Sequence, residues 1–292
     1  MKDAARLVAY FAATILFGVF AAPVLFWTAQ GLIAHGVLGF LAKYDFETYF
    51  HRALLIGALL FLWPLLRSLN VKRGSDLALA RNPHRGRDAG MGFLIAAIPL
   101  LCFGALIIAL GVYSFRTASC GVLLKRALAA FVVPLLEEPI FRGLILGLLL
   151  RSLSVWGAIF GTSAIFSIIH FLKAPPHTSI VVTWTSGFAS LGNAFTQFQQ
   201  PLLLLAGFTT LFLLGWILAD ARIRTRSLWL PIGLHGGWIF ASAIFNKLTR
   251  REMDALPWLG QSLLIGLAPL GVALVSWCLL RWWLKNVERT NP

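Results

Sequence analysis

The sequence is poor in acidic residues and in charged residues generally. Only 11 of its 292 residues are Asp or Glu, against 25 Lys and Arg, and charged residues make up 12% of the chain. Soluble domains carry about a quarter charged residues and are about half apolar, whereas this chain is 59% hydrophobic. These proportions exclude an ordinary soluble domain and indicate an integral membrane protein.

Other absences limit the kinds of site and partner that the chain can have. The three cysteines, Cys102, Cys120 and Cys278, show no CxxC spacing, which argues against a disulfide framework or a cysteine metal site. The chain has no HExxH, the usual metalloprotease signature. Its net charge of +14 is spread over the loops between apolar segments. That distribution argues against nucleic acid as a partner and is typical of orientation signals and of contact with membrane lipid.

Long apolar runs occupy most of the chain. Since a bilayer span needs about 20 apolar residues, we predict an all-α fold, a polytopic membrane helix bundle of about eight transmembrane helices. The candidate spans are 6–34, 53–70, 91–114, 123–150, 153–172, 201–220, 228–247 and 258–284. No loop is long enough for a separate soluble domain, so residues 1–292 are predicted to form a single integral membrane domain. Segment 173–200 is long and mixed, and we expect it to hold a short interfacial or re-entrant piece.

The distribution of Lys and Arg predicts the orientation of the chain. With eight spans and the N-terminus inside, fifteen of these residues fall on the side of the two termini and nine on the opposite side. Loops rich in Lys and Arg face the cytoplasm. We therefore expect a multi-pass protein of the cell membrane with both termini cytoplasmic.

Two adjacent acids stand in the middle of the fourth predicted span. Glu137 and Glu138 follow the apolar run 127–136, and Arg142 is the one charge in the run that comes after them. A charge at bilayer depth costs from a few to more than about ten kcal/mol, so such groups are retained when they are paired, hydrated or used. These three residues are the strongest functional signal in the chain.

The spacing of these charges separates the two carboxylates. Glu138 and Arg142 are four residues apart, so on a helix they share a face and can pair. Glu137 is rotated from Glu138 by about 100° and can remain available for chemistry. Pro134 and Pro139 flank the acid pair, and each is expected to kink the helix because it removes a backbone donor.

Two histidines lie in other apolar runs. His170 lies in the sequence FSIIHF, with Phe166 one turn before it, and His235 lies in PIGLHGGWIF. Each feature has an ordinary interpretation: a structural hydrogen bond for either histidine, internal pairing for Glu138 and Arg142, and close helix packing for the GxxxG step of Gly143 and Gly147. The combination of two acids, one arginine and two histidines on three predicted helices is more specific.

With these motifs the chain resembles the CPBP family of intramembrane proteases, which includes CAAX prenyl proteases (Ras-converting-enzyme-like) and bacteriocin-immunity-associated, Abi-type proteins. The family motif EExxxR corresponds to Glu137–Arg142, FxxxH to Phe166–His170, and the third motif begins at His235. The resemblance covers a motif-bearing core of about 123–247. The third motif is often HxxxN in the family, and here the fourth position after the histidine is Ile239. Asn193, Asn246 or a backbone amide could substitute for the missing donor, or activity is impaired or altered.

The resemblance implies an intramembrane endopeptidase that cleaves membrane-associated substrates, including peptides and lipidated proteins such as prenylated CAAX proteins. It implies that Glu137, His170 and His235 are catalytic: Glu137 acts on a water that His170 also holds, and His235 contacts the substrate carbonyl. Glu138, Arg142 and Phe166 would support them. Metal use stays open, because the three catalytic residues could also hold Zn²⁺.

Two other functions remain open at this stage. Acids and histidines within a membrane also serve as proton relays, so a proton-coupled transporter is an alternative. Two similar halves, which many transporters have, are not evident in the sequence. The second alternative is a catalytically impaired immunity or scaffold protein with the same fold, which Ile239 keeps open.

Overall fold

A computed structural model describes residues 2–79, 82–171, 181–253, 257–260 and 262–290. The protein is all-α, as predicted, and 80% of it is helical. Residues 172–180, which include Pro175, Pro176 and His177 of the predicted re-entrant segment, lie outside the described residues. The helices are α1 (Lys2–Ala34), α2 (Phe46–Ser68), α3 (Arg85–Ala109), α4 (Cys120–Glu138), α5 (Leu146–Leu149), α6 (Val155–Phe171), α7 (Ser186–Ala194), α8 (Pro201–Leu203), α9 (Thr209–Thr225), α10 (Trp229–Leu248) and α11 (Leu267–Thr290).

Shorter elements connect these helices. Two π-helical segments, Pro139–Ile145 and Leu204–Phe208, join α4 to α5 and α8 to α9. Strands β1 (Tyr113–Phe115) and β2 (Thr249–Arg251) form a two-stranded antiparallel ribbon. The 3₁₀ turns are Gly39–Lys43, Gly74–Leu77 and Phe195–Gln199.

Five helices in the described part of the chain are long and apolar enough to cross a membrane, and a sixth apolar helix, Val155–His170, is shorter. The five are Asp3–Ala34, Phe46–Ser68, Arg85–Ala109, Leu204–Thr225 and Leu267–Val287. Helices α4 and α10 also match predicted spans, but α4 carries four charged residues and α10 contains His235, Asn246 and Lys247. The predicted count of eight spans is therefore not confirmed, and the three exceptions, α4, α6 and α10, are the helices that carry the sequence motifs.

Two helix boundaries differ from the predicted spans for identifiable reasons. Helix α2 begins seven residues early because the side chain of Asp45 accepts a hydrogen bond from the backbone N–H of Thr48 (3.0 Å), an N-cap that hydropathy does not detect. The last helix begins at Leu267 rather than at 258. Its start is delayed because Gly266 has φ of 138°, a conformation that a helix cannot contain.

Contacts between Cα atoms divide the chain into two compact units. The first consists of Met1–Lys72 and Leu172–Gln200, and the second of Arg73–Phe171 and Pro201–Pro292. The prediction of a single membrane domain over residues 1–292 stays a prediction.

In the first unit α1 packs along α2, and α7 packs against both. A small buried core of Val19, Ala22, Phe46, Phe50 and Ala53 lies between α1 and α2. Gly187 of α7 faces the backbone of Val19 so closely that a side chain would not fit. This unit carries none of the residues that the motifs single out.

The second unit has its core around α10, which packs most extensively against α3 and also contacts α4 and α9. Leu100, Leu218, Leu230, Leu234 and Trp238 are among the residues buried there. Because α10 is surrounded by other helices, His235 on its second turn faces the protein interior. This burial places the third motif opposite the end of α4.

Candidate active site

The EExxxR motif lies where α4 passes into a π-helical segment. Glu137 and Glu138 are the last residues of α4, and Pro139 begins the wider π turn that contains Arg142. Proline lacks the N–H that would continue the α-helical hydrogen bonds, and π segments frequently occur at functional sites. The expected kink at Pro139 thus takes the form of a change in helix type directly after the two acids.

Glu138 and Arg142 form a fully buried ion pair. Arg142 Nη1 donates to Glu138 Oε1 at 3.0 Å, and both side chains have 0% exposure. Arg142 Nη2 also donates to the backbone carbonyl of Gly215 on α9, at 3.3 Å. The guanidinium lies over the ring of Phe166, 4.4 Å from its centroid. Arg142 therefore joins three elements, α4, α6 and α9, at one point.

The same carboxylate also holds the third motif. His235 Nδ1 lies 2.7 Å from Glu138 Oε1, so Glu138 is shared between Arg142 and a histidine 97 residues away. The close approach of α10 to α4 at Gly236 makes this contact possible, because a Cβ there would lie 3.0 Å from the carbonyl oxygen of Ala130. The imidazole is consequently fixed with its Nε2 edge directed away from Glu138.

Glu137 stands apart from this buried pair, as the helical rotation predicts. Its Oε2 lies 3.3 Å from His170 Nε2 and 3.9 Å from His235 Nε2. The side chains of Glu137 and His170 are 29% and 28% exposed, whereas Glu138 is fully enclosed. The arrangement separates a partly accessible cluster of one carboxylate and two imidazoles, in which His235 is 9% exposed, from an inaccessible ion pair behind it.

Hydrogen bonds at the far side of each ring determine which nitrogens face Glu137. His170 Nδ1 lies 2.9 Å from the backbone carbonyl of Phe166, which can only accept, so Nδ1 carries the proton. His235 Nδ1 donates to Glu138 in the same way. In the neutral rings each Nε2 therefore presents a lone pair to the carboxylate of Glu137. Glu137 Oε2 and the two Nε2 atoms are then three acceptors that face one another. A shared proton, or a group with two donors such as water, would satisfy them.

Two buried atoms of the acid pair retain the capacity to accept hydrogen bonds. Oε2 of Glu137 and Oε2 of Glu138 have no hydrogen-bond partner of good geometry among the described residues. Buried polar atoms normally have partners, and exceptions occur at sites of chemistry or of bound water. Glu137 Oε2 is the atom that the two histidines surround, so it is the natural acceptor for a reacting group.

Phe166 packs at the centre of the site. Its ring centroid lies 4.1 Å from that of His170, 5.1 Å from that of Phe141 and 5.9 Å from that of His235. The ring thus contacts both imidazoles as well as the Arg142 guanidinium. Phe166 excludes water from the side of Arg142 and fixes the ring planes of both histidines.

Two groups of the site, the carbonyl of Gly215 and the ring of Phe141, were not identified from the sequence. The carbonyl of Gly215 is a backbone group, so no side-chain pattern could indicate it. A side chain at position 215 would be tightly packed, because a Cβ would lie 3.1 Å from the Cα of Ser163 on α6. Phe141 lies inside the EExxxR motif, at one of its variable positions, and only its contact with Phe166 assigns it to the site.

Asn246 does not lie where it could replace an asparagine at the position of Ile239, and Asn193 lies in the other compact unit. Ile239 lies one turn beyond His235 on α10 and is partly buried. Asn246 is eleven residues from His235, about 16 Å along the helix axis, and its amide lies 3.5 Å from Ser242 Oγ. Asn246 is therefore too far from His235 to replace an asparagine at position 239. Asn193 belongs to the first compact unit, not to the one that carries this site.

The three residues suggested as zinc ligands do not form a metal site. No group of three His, Cys, Asp or Glu side chains in the described part of the chain has a metal-binding arrangement. A tetrahedral zinc site with bonds of about 2.0–2.2 Å holds its ligand atoms roughly 3.4 Å apart. The separation of Glu137 Oε2 and His170 Nε2 fits that value, but the 3.9 Å to His235 Nε2 is too long.

Comparison with known proteins places this site in a family. Residues 119–241 match the family described as Rce1-like, type II CAAX prenyl endopeptidase. The match contains α4, the π-helical segment Pro139–Ile145, α6 and the first turns of α10, which together carry Glu137, Glu138, Arg142, Phe166, His170 and His235. No curated protein and no solved structure matches this chain. The family recognised from the motifs is confirmed over this segment: residues 119–241 of this integral membrane protein are similar to the Rce1-like CAAX prenyl endopeptidases.

Proposed function

We propose that this protein is an intramembrane endopeptidase that hydrolyses a peptide bond in membrane-associated substrates of the prenylated CAAX type. The observation that supports this most strongly is the accessible cluster of Glu137, His170 and His235, with both Nδ1 atoms occupied by other acceptors. The similarity of residues 119–241 to type II CAAX prenyl endopeptidases supports the substrate class. We also propose that the protein lies in the cell membrane with both termini cytoplasmic, as its basic loops indicate.

Glu137 and His170 together activate the water. A water molecule between them donates one hydrogen to the carboxylate and the other to Nε2 of His170, whose Nδ1 proton is engaged by Phe166. Its oxygen lone pair is then free to attack the scissile carbonyl carbon. As the new C–O bond forms, Glu137 accepts the water's proton as general base.

His235 stabilises the charge that develops on the substrate oxygen. The shared proton lies on His235 Nε2 when substrate is bound, so His235 donates from Nε2 to the oxyanion, and its positive charge is balanced by Glu138 at Nδ1. When the C–N bond breaks, Glu137 returns its proton to the leaving amine, so that the site regains its starting protonation state. Arg142 holds Glu138 in place.

None of these steps passes through a metal ion, because the three side chains do not have a zinc-binding arrangement. The proposed roles use only atoms of the chain and the attacking water. Glu137, His170 and His235 are therefore assigned as catalytic residues, and Glu138, Arg142 and Phe166 as positioning residues.

A cleavage assay tests this proposal. Purified protein in lipid nanodiscs is mixed with a farnesylated peptide that ends in a CAAX sequence, and the products are identified by mass spectrometry. We expect cleavage at a single bond, and a fall in kcat of about 10²–10³-fold in H170A and in H235A, with each variant keeping its thermal unfolding midpoint. Absence of cleavage by the unmodified protein, or full activity in both variants, would refute the proposal.

An impaired member of the family is the second candidate, and Ile239 favours it. The partly buried isoleucine one turn after His235 offers no hydrogen bond to an oxyanion. The variant I239N separates the two candidates. If the protein is impaired for this reason, I239N gains cleavage that the unmodified protein lacks; if His235 suffices, both cleave and their kcat values differ by less than about tenfold.

A further inference from the structure

A second polar region lies on the same face of α10 as His235. Positions 235, 239, 242 and 246 follow the spacing of one helix face, and the last three of them line a cavity of about 400 Å³. Ser242 is buried, and Ile239 and Asn246 are partly buried. The cavity therefore begins one turn from His235 and extends toward the C-terminal end of α10.

The charged side chains that line this cavity are all basic. Arg126 on α4 and Lys247 on α10 contribute two cations, and Ser242, Asn246 and Ser262 contribute neutral polar groups. Within the described part of the chain, no carboxylate lies within ion-pair distance of Arg126 or Lys247. Two cations and several neutral donors in one concave site favour an anion with several acceptor oxygens.

The end of α10 that carries this site is held in place. The guanidinium of Arg116 donates to the backbone carbonyls of Asn246 (2.6 Å) and Lys247 (3.0 Å). Thr249, which follows directly, pairs with Phe115 in the two-stranded ribbon. Lys247 therefore projects from an anchored backbone, which lowers the entropy lost when it holds a ligand.

The distance from His235 to the polar groups of the cavity can be spanned by a few residues of a peptide substrate. Ser242 and Asn246 lie seven and eleven residues beyond His235, about 10 and 16 Å along the helix axis. An extended peptide advances about 3.3 Å per residue, so three to five substrate residues span this interval. Ile239, between the two sites, presents an apolar surface to the intervening side chains.

We infer that this cavity binds a carboxylate of the peptide substrate, three to five residues from the bond that is cleaved. The inference rests on the proposed function. The carboxylate can be the free C-terminus of the substrate or the side chain of an Asp or Glu. Arg126 and Lys247 are its ligands, and Ser242 and Asn246 supply neutral hydrogen bonds.

The test measures peptide binding in a protein that does not turn over. E137Q in nanodiscs of neutral phosphatidylcholine is titrated against a fluorescent farnesylated peptide with a free C-terminus, against the same peptide as its amide, and against an amide with Asp as its last residue. We expect the plain amide to bind at least tenfold more weakly than the free acid. Recovery of affinity by the Asp peptide would identify a side-chain carboxylate as sufficient, and its failure to recover would restrict the site to a free C-terminus.

Variants of the protein then assign the effect to the cavity. E137Q/R126Q/K247Q should bind the free acid as weakly as the amide, with the affinity for the amide unchanged. Lys125 is the matched control, because it is an exposed cation adjacent to Arg126 that does not line the cavity. E137Q/K125Q should keep the full preference for the free acid.

The outcomes separate this inference from the proposed function. Equal affinity for acid and amide in E137Q would overturn the carboxylate site even if the active protein cleaves both peptides. Preference for the acid in a protein that cleaves neither peptide would retain the site and refute the endopeptidase. If the two cations affect binding only in nanodiscs that contain anionic lipid, they bind a lipid headgroup and the inference is wrong.

Discussion

Glu138 connects the buried ion pair to the third motif. It binds Arg142 and His235 while its own exposure is 0%, and Arg142 is equally enclosed. A buried ion pair contributes little net stability compared with apolar residues of the same size, but removal of one partner leaves an uncompensated charge. The Glu138–Arg142 pair therefore serves to orient the site, since it fixes the ring of His235 and separates Glu137 from the arginine.

This interpretation predicts different effects for single and double substitutions. E138A should lower the free energy of unfolding by roughly 3–5 kcal/mol, because Arg142 stays buried without its partner. E138L/R142L removes both charges and should recover most of that loss, measured by unfolding in detergent, but should not recover peptide cleavage. A double variant that cleaves at the normal rate would contradict a positioning role for Glu138.

The residue-scale features differ in how far sequence could predict them. The Glu138–Arg142 pair depends on a spacing of four within one helix, so local geometry was sufficient to predict it. The contact between His235 and Glu138 spans 97 positions, and motif resemblance alone suggested that the two belong together. The carbonyl of Gly215 has no side-chain signal at all.

At the scale of elements, the most informative feature is the π-helical segment after the acid pair. Sequence predicted a kink at Pro139, but not that seven residues would adopt a wider helix. The early start of α2 and the late start of α11 have the same kind of cause. The N-cap at Asp45 determines where α2 begins, and the positive φ at Gly266 determines where α11 begins. Both local features outweigh hydropathy.

The GxxxG step that overlaps this segment does not act as predicted. Gly143 faces the 3₁₀ turn Gly74–Leu77 rather than a long helix, since a Cβ on it would lie 2.8 Å from the carbonyl oxygen of Leu77. Gly147 has nothing within 4 Å of an added Cβ. The two glycines are four residues apart, but one is closely packed and the other faces open space.

Alanine substitution of each glycine tests this difference. G147A should leave stability unchanged or raise it by about 0.5–1 kcal/mol, because alanine is the better helix former. G143A should lower stability and displace the π-helical segment, because the clash involves backbone atoms that cannot move aside. The unfolding midpoint and kcat of both variants provide the measurement; equal effects from the two would show that the segment packs differently.

At the scale of the whole molecule, the apolar composition identified a membrane protein but did not determine the number of spans. Five helices of the described chain meet the length and hydropathy expected of a span. Helices α4 and α10 do not, because they carry polar residues of the site, and α6 is too short. Polar residues of the site lower the hydropathy by which membrane spans are recognised. The helices that carry the motifs are therefore the hardest to identify as spans.

The orientation of the chain stays a prediction, and cysteine labelling tests it. In a variant whose three native cysteines are replaced by serine, a single S75C lies in the exposed basic loop after α2, and K43C lies in the loop before it. With both termini cytoplasmic, a membrane-impermeant maleimide added to intact cells should label K43C and not S75C. The reverse pattern would place the N-terminus outside.

The claim on which this account depends is that the Glu137 carboxylate activates the attacking water. The most direct measurement is peptide cleavage by E137Q, which keeps the size of the side chain and removes the base. We predict a fall in kcat of at least about 10³-fold, with the unfolding midpoint and the affinity for the farnesylated peptide unchanged, since Glu138 and Arg142 hold the site independently. Cleavage by folded E137Q at a rate within tenfold of the unmodified protein would contradict the account.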